Sequence, residues 1–211
     1  MHQLKAQWLG KIRYSDALEI MMNTHKKVQE GDDGVILLCE HESVITMGRR
    51  ARKENLKYPL ARIISDGIDV CEINRGGDVT FHGPGQLVGY PIINIGRKVR
   101  QHVDAISKSL IDIMAHASIN AVFRNEFPGL WVEGRKIAAI GIEVKEMVSL
   151  HGFSLNVTPE FRGFDYIIPC GIDSVDIAYW SEYSPPPPLE ILAKAFASRF
   201  GFYTSHNINW I

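Results

Sequence analysis

Cys170 lies in Ile167-Ile168-Pro169-Cys170-Gly171-Ile172, an apolar run broken by a proline and a glycine. Those two residues interrupt regular structure, so the pattern predicts a thiol at a turn. A thiol acts as a nucleophile in its thiolate form. With an ordinary pKa near ~8.5 it needs a neighbouring cation or a helix N-terminus to ionise at neutral pH. Lys136 is the candidate cation. It opens the near-continuous apolar strand Lys136-Ile137-Ala138-Ala139-Ile140-Gly141-Ile142, where an unpartnered ammonium is costly to bury. The residues alone leave two readings open. Lys136 is a strand-end lysine whose head reaches water, or it is the cation that the distant thiol requires.

The densest polar signal is Arg75-Gly76-Gly77-Asp78-Val79-Thr80-Phe81-His82-Gly83-Pro84-Gly85-Gln86-Leu87. Glycines between two strands let a ligand approach the backbone and free its N–H groups for binding, and Arg75 and His82 add side-chain donors. A glycine-rich hairpin without a ligand fits the same residues. Further along, His151-Gly152-Phe153-Ser154-Leu155-Asn156 offers Phe153 and Leu155 as walls for an apolar ligand. There His151 is either a base or a structural polar residue. Cys39 and Cys71 sit in apolar strand-like runs and are expected to be buried small hydrophobes.

The chain has 211 residues with a net charge of −1, 45% hydrophobic and 22% charged. That length suits one domain with a full core. The near-neutral charge supplies no general attraction to nucleic acid or anionic membrane. No apolar run approaches the ~20 residues of a membrane span, and no signal core is visible, so a soluble cytoplasmic protein is expected. Three widely spaced cysteines with no paired motif argue against a disulfide scaffold or a structural zinc site.

The elements that must position these residues follow from periodicity. Leu18, Met21, Met22, His25 and Val28 predict a helix over 15–29, stopped by Gly31 to Gly34. Strands are predicted at 35–39, 44–47, 68–74, 79–82 and 87–95, with Pro91 demanding an edge position or a bulge. Between them, 48–55 reads as a basic loop. Val103, Ile106, Leu110, Ile113, Met114 and Ala117 predict a helix over 101–117. Strands follow at 121–124, 130–132, 136–144 and 148–157. Pro185 to Pro188 form a stiff spacer before a closing helix that carries Leu189, Leu192, Ala193, Phe196 and Phe200. Runs of strands broken by a few helices indicate an α/β (α+β) domain with a mixed sheet. No Rossmann or P-loop phosphate fingerprint is present.

Taken in order, four stretches resemble the lipoyl(octanoyl) transferase family: Arg75 to Leu87; Gly134-Arg135-Lys136-Ile137-Ala138-Ala139-Ile140-Gly141; His151 to Asn156; and Pro169-Cys170-Gly171-Ile172. Glu40-His41 and Met47-Gly48-Arg49-Arg50-Ala51 are also similar to that family, and the resemblance covers 35–172. Two positions depart from its pattern. Ala139 stands where serine is frequent, and Ser154 where alanine is.

The resemblance implies a single catalytic domain over 1–211, a mixed β-sheet flanked by helices as in the biotin/lipoate-protein ligase catalytic domain. It implies transfer of octanoyl, or lipoyl, from acyl carrier protein to a lysine of apo lipoyl domains, those of 2-oxoacid dehydrogenases and of the glycine cleavage H protein. No cofactor, metal, nucleic acid or membrane enters that reaction. Cys170 would hold the acyl group as a thioester and Lys136 would lower its pKa. Arg75, Gly76, Gly77, Asp78, Val79, Thr80, Phe81, His82, Ala139, Ile140, Gly141, Gly152, Phe153 and Ser154 would bind substrate. Burying a seven-carbon tail would contribute about 5 kcal/mol at roughly 0.8 per methylene. Backbone amides near Gly141 and Cys170 are the candidate oxyanion donors. The partners of this family are acidic domains. Arg49, Arg50, Arg52, Lys53, Lys57 and Arg62 would steer them, or would be no more than a solvated loop. Two other functions remain open: an ATP-dependent lipoate or biotin ligase, which does not need Cys170, and a non-catalytic acyl or carrier-domain binding module.

Overall fold

The computed structural model describes residues 2–159, 163–169 and 175–211, so the expected turn at Cys170 lies outside the described residues. In chain order the elements are β1 (His2–Ile12), α1 (Tyr14–Gln29), β2 (Gly34–His41), β3 (Val44–Met47), α2 (Leu60–Ser65), β4 (Asp69–Glu72) and β5 (Val79–His82). There follow β6 (Gln86–Ile92), α3 (Val99–Ala115), β7 (Val122–Arg124), β8 (Gly129–Val132), β9 (Arg135–Lys145), β10 (Val148–Asn156), α4 (Leu189–Thr204) and β11 (His206–Trp210). They build an eight-stranded mixed sheet in the order β11-β1-β2-β6-β10-β9-β8-β7 and a three-stranded sheet β4-β3-β5. This is the mixed α/β architecture expected from the alternation of strand runs and helices.

β2 is apolar at nearly every position because both faces of the large sheet are covered. Ile36 and Leu38 point into the main core with α3 and α4, where Phe153 packs on Phe196 at 4.3 Å between ring centroids. Leu37 and Cys39 point the other way, against Met21 and Val28 of α1. The small sheet and α2 enclose a third core of Ile45, Met47, Ile63, Ile68, Val79, Phe81 and Ile167. α4 begins directly after Pro188. The prolines cost the helix nothing there, because its first-turn N–H groups have no intrahelical acceptor.

Several expectations are corrected. Met22 is 42% exposed, and the buried stripe of α1 is Tyr14, Ala17, Met21, His25 and Val28. At 3.6 residues per turn this stripe is set by position 14, which puts 22 off its edge. Pro91 is neither on an edge nor at a register-changing bulge. It pairs with Ile36 inside β6, between β2 and β10. The β6–β10 ladder stops at Phe153↔Gly89 and resumes in the same register at Asn94↔Val148. Across the gap the Ser149 hydroxyl donates to the Pro91 carbonyl at 2.7 Å and accepts from the Ile93 N–H at 3.0 Å. A side chain therefore pairs the Pro91 carbonyl and the Ile93 N–H where the strand ladder is open. Cys71 is half-buried on an edge strand rather than buried.

β1, β11 and α2 are absent from the sequence reading. β1 does alternate, with Leu4 and Ala6 buried between polar neighbours, and it joins β2 and β11 in parallel. The connection that matters most for the cleft is His82-Gly83-Pro84-Gly85-Gln86, which carries the chain from the small sheet to the large one. Gly85 has φ +80°, its N–H donates to the Glu40 carboxylate at 2.7 Å, and a Cβ there would strike the Thr158 carbonyl. Gly67 has a similar φ of +82° but open space around it. Gly85→Ala is therefore expected to lower the unfolding free energy well beyond Gly67→Ala, which bears only the left-handed penalty of about 1–2 kcal/mol. Urea titrations of both variants check this; equal losses would contradict it.

Candidate active site

The glycine loop between β4 and β5 folds back onto β9, where the Gly76 N–H donates to the Ile142 carbonyl at 3.2 Å. A cleft of about 770 Å³ opens between that loop and strands β9 and β10. Thirteen of the fourteen residues expected to bind substrate line it: Arg75, Gly76, Gly77, Asp78, Val79, Thr80, His82, Ala139, Ile140, Gly141, Gly152, Phe153 and Ser154. Phe81 does not. The two-residue period of β5 turns it into the small core, edge-to-face on Phe164 at 5.6 Å. Leu155 likewise belongs to the main core and does not wall the cleft. Val79 reaches the cleft while its side chain packs in the small core.

Lys136 lines the cleft and is only 5% exposed. Its Nζ lies 5.6 Å from the centroid of the Trp131 ring, close enough for a cation–π attraction. Its stem crosses Gly129, where a Cβ would come within 2.7 Å of the Lys136 Cε. The Lys136 backbone forms a short ladder with the segment after the undescribed residues. Its N–H donates to the Asp176 carbonyl at 2.8 Å, and its carbonyl accepts the Ala178 N–H at 3.0 Å. On the other side, the Ile168 N–H donates to the Asn55 carbonyl at 2.8 Å, and the Asn55 amide donates to both carboxylate oxygens of Asp78 at 2.8 and 2.9 Å. The flanks of residues 170–174 are thus tied to Lys136 and to the glycine loop. Cys170 itself lies outside the described residues.

Arg75 is buried, and its guanidinium donates to the Thr46 carbonyl at 2.8 Å and to the Thr46 hydroxyl at 2.9 Å. It anchors the loop to β3 and places a fixed positive charge beside the histidines. Three histidines around the inner cleft are held neutral. Burial pushes His82 down to about 3, helped by His41, Arg75 and His151. Burial lowers His41 and His151 to about 4 each, with Arg75 assisting at His151. His151 therefore carries no charge at neutral pH, so its 3.9 Å approach to Glu143 is not an ion pair there. Its backbone is left-handed, with φ +59°, at the point where the β6–β10 ladder opens.

His41 Nδ1 faces the Ile12 carbonyl at 3.1 Å, so Nδ1 carries the proton. Its Nε2 then accepts the Tyr90 hydroxyl at 2.6 Å. The Tyr14 hydroxyl is buried with no hydrogen-bond partner among the described residues, and burial raises its pKa. Ala139 and Ser154, the two departures from the family pattern, are direct cross-strand partners on β9 and β10.

The sequence reading passed over Tyr14, Tyr90, Gly129 and Trp131. Among them only Pro128-Gly129 was visible as a punctuation mark before a strand. Asn125, Glu126, Phe127, Pro128 and Arg100 add a further wall from β7, β8 and α3. Among the described residues no helix is long and apolar enough to cross a membrane.

Residues 13–201 match the family described as the lipoyl protein ligase A/B catalytic domain. The chain is 36% identical over 211 residues to an octanoyltransferase of Myxococcus xanthus, covering 95% of this chain and 59% of that protein. It therefore spans less than two thirds of that relative. An octanoyltransferase of Geobacter metallireducens is 39% identical over 208 residues, covering 96% of this chain and 94% of its own length. Among solved structures, a putative lipoate protein ligase from T. acidophilum with bound lipoic acid superposes with a TM-score of 0.83 at 11% identity, covering 100% of this chain and 89% of that one. At that identity the likeness speaks for the fold.

Four neutral buried histidines also set a pH dependence. His41, His82, His102 and His151 all have lowered folded-state values against an unfolded 6.5. Below 6.5 the unfolded chain takes up protons that the folded chain does not, so stability is full above that pH and falls as pH drops toward about 4. Unfolding free energies measured between pH 7.5 and 4.5 at about half-unit steps should decline through this window, and less steeply for His102→Phe. A flat profile would contradict the assignment.

Proposed function

The chain belongs to the lipoyl protein ligase A/B catalytic domain family, and on that premise we propose that it is an octanoyltransferase acting as one catalytic domain in protein lipoylation. It takes the octanoyl group from an acyl carrier protein and delivers it to a lysine of a lipoyl domain. The observation that carries this reading is Lys136, a lysine held in the cleft wall at 5% exposure with the chain on either side of Cys170 tied nearby. Sequence relatives named octanoyltransferase support it.

In this mechanism the Cys170 thiolate, stabilised by the Lys136 ammonium, attacks the carbonyl carbon of the donor thioester. A new C–S bond forms to Cys170, the carrier C–S bond breaks, and the carrier thiolate leaves. Exchange of one thioester for another is close to balanced. The acceptor lysine, as free amine, then attacks the Cys170 thioester. The C–N bond forms, the C–S bond to Cys170 breaks, and the proton lost by the amine passes to the departing sulfur through Lys136. The amide product makes this step downhill, so no nucleotide is required. Along β9, Lys136 and Gly141 are five residues and roughly 16 Å apart. That is room for an eight-carbon chain laid against Ala139, Gly141, Gly152 and Ser154, and the neutral histidines beyond leave the tail free of charge. Arg50 and Arg52 at the cleft wall, with Arg49, Lys53, Lys57 and Arg62 nearby in sequence, favour acidic carrier domains.

Intact-mass analysis after exposure to octanoyl carrier protein should show one added octanoyl group on the wild type and none on Cys170→Ser. A serine variant that transfers at full rate would refute the thioester route. Lys136→Ala should slow alkylation of Cys170 at neutral pH by about tenfold or more, recovering at high pH. An alkylation profile unchanged from wild type would remove the activating role. If octanoate and ATP, but not octanoyl carrier protein, support modification of a lipoyl domain, the ligase reading replaces this one. Arg50→Glu with Arg52→Glu should raise KM for the carrier several-fold at low salt and leave the alkylation rate of Cys170 unchanged.

A further inference from the structure

Segment 49–66 concentrates positive charge. It holds six basic side chains against two acidic ones, in a chain whose net charge is −1. One of the two acids is already engaged, since the Asp66 carboxylate pairs with Arg62 Nε at 2.7 Å and accepts the Tyr166 hydroxyl at 3.0 Å. The same segment leaves large apolar side chains in water. Tyr58 is 48% exposed, Leu60 49% and Ile64 57%. Leu60 and Ile64 are four residues apart on α2 and share its outer face, while Ile63 turns inward into the small core. The Tyr58 ring packs on Tyr166 at 5.3 Å between centroids, and the Lys57 N–H donates to the Tyr166 carbonyl at 2.9 Å. The strip is therefore anchored on the body of the protein. A single exposed apolar residue needs no explanation. Three within seven residues, next to the exposed Lys53 and Lys57, mark a contact surface.

This surface is continuous with the cleft without being part of it. Arg50, Arg52 and Asn55 line the cleft wall, and Lys53 to Asn55 form one tight turn leading from that wall toward α2. Tyr58, Leu60 and Ile64 are not among the lining residues. We propose that the outer face of α2, with Tyr58 and the basic turn before it, is the docking surface for the acidic carrier that donates the acyl group. An acidic helix of the carrier lies against Leu60 and Ile64 and sets its carboxylates on Lys53 and Lys57. This rests on the acyl-transfer reading above and deepens it by giving the donor its own place. The field selects an acidic partner, and reach selects the donor over the acceptor. An acceptor lysine carries its amine on a four-carbon stem, so its domain must sit over the cleft. A carrier presents its acyl group on a long flexible arm and can rest beside the cleft, where α2 lies. The opposite cleft wall carries both signs of charge, Arg100 with Asp104 and Glu126. On α2 the apolar strip supplies affinity and the lysines supply encounter rate.

Two double variants test this. Leu60→Glu with Ile64→Glu sets negative charge in the strip, and Leu60→Ser with Ile64→Ser removes only the apolar contact. Calorimetric titration with the unacylated carrier protein requires neither thiol nor transfer. Wild type should bind, more weakly as salt rises. The glutamate pair should weaken binding by about tenfold or more and the serine pair several-fold. KM for octanoyl carrier should rise in parallel, with KM for the lipoyl domain and turnover of octanoyl-pantetheine unchanged. Hydrogen exchange on the wild type gives a reading independent of any variant: the carrier should protect amides within 57–66, and the lipoyl domain should not. Carrier affinity unaltered in both variants, or no protection within 57–66, overturns the proposal. So does a loss of lipoyl-domain affinity in place of carrier affinity, which would give the strip to the acceptor. A wild-type dimer that the glutamate pair dissociates in sedimentation would give it to a second copy of the chain and overturn the proposal too. A wild type that binds the carrier through 57–66 but never transfers octanoyl supports the docking surface and overturns the transferase reading.

Discussion

Holding the Lys136 ammonium in a cleft wall, rather than in bulk water, is the constraint around which this end of the molecule is organised. A charge at 5% exposure needs compensation. The Trp131 ring face supplies part of it, and Gly129 makes room for the stem that reaches there. The Lys136 main chain is used as fully as its side chain. It pairs with Asp176 and Ala178 on one side and receives Asn156 from behind. Moving β9 by one residue would turn the lysine to the other face and break all of these contacts together.

The cleft is also a product of two sheets joined in the chain by one turn. The small sheet delivers the glycine loop, the large sheet delivers β9 and β10, and His82-Gly83-Pro84-Gly85-Gln86 joins them. Arg75 has its guanidinium committed to Thr46, so its charge is a fixed feature of the wall. That charge and burial together keep His82 and His151 neutral. Beside Arg75 these two histidines consequently present lone pairs rather than charges, which suits an uncharged acyl chain.

Much of this was legible along the chain. The glycine loop, the Lys136 strand, the His151 to Asn156 strand and the closing helix after the prolines all stand where spacing places them, because each is specified by local patterning. The misreadings share another origin. Phe81 and Leu155 face away from the cleft because strand parity selects a face and only the neighbouring layers decide which face is the cleft. Pro91 sits in a central strand where the ladder opens, and a serine on β10, far along the chain, pairs its carbonyl and the Ile93 N–H. β1 and β11 carry only short alternations, Leu4, Ala6 and Trp8 in one and Ile208 and Trp210 in the other, and each gains its stability from a parallel partner remote in sequence.

The sequence by itself determined the inventory: a thiol between proline and glycine, a lysine at the head of an apolar strand, a glycine-rich loop with one arginine and one histidine, and a mixed α/β fold to carry them. It determined these because residue type and short-range period act locally. Only the tertiary structure decided that the loop and both strands enclose one cleft and that Trp131 and Gly129 house the lysine. Only there does Asn156 link the Lys136 and Ala178 carbonyls to Gln86. Hydrogen-bond direction and burial are properties of neighbours in space, and these neighbours lie tens of residues apart in the chain.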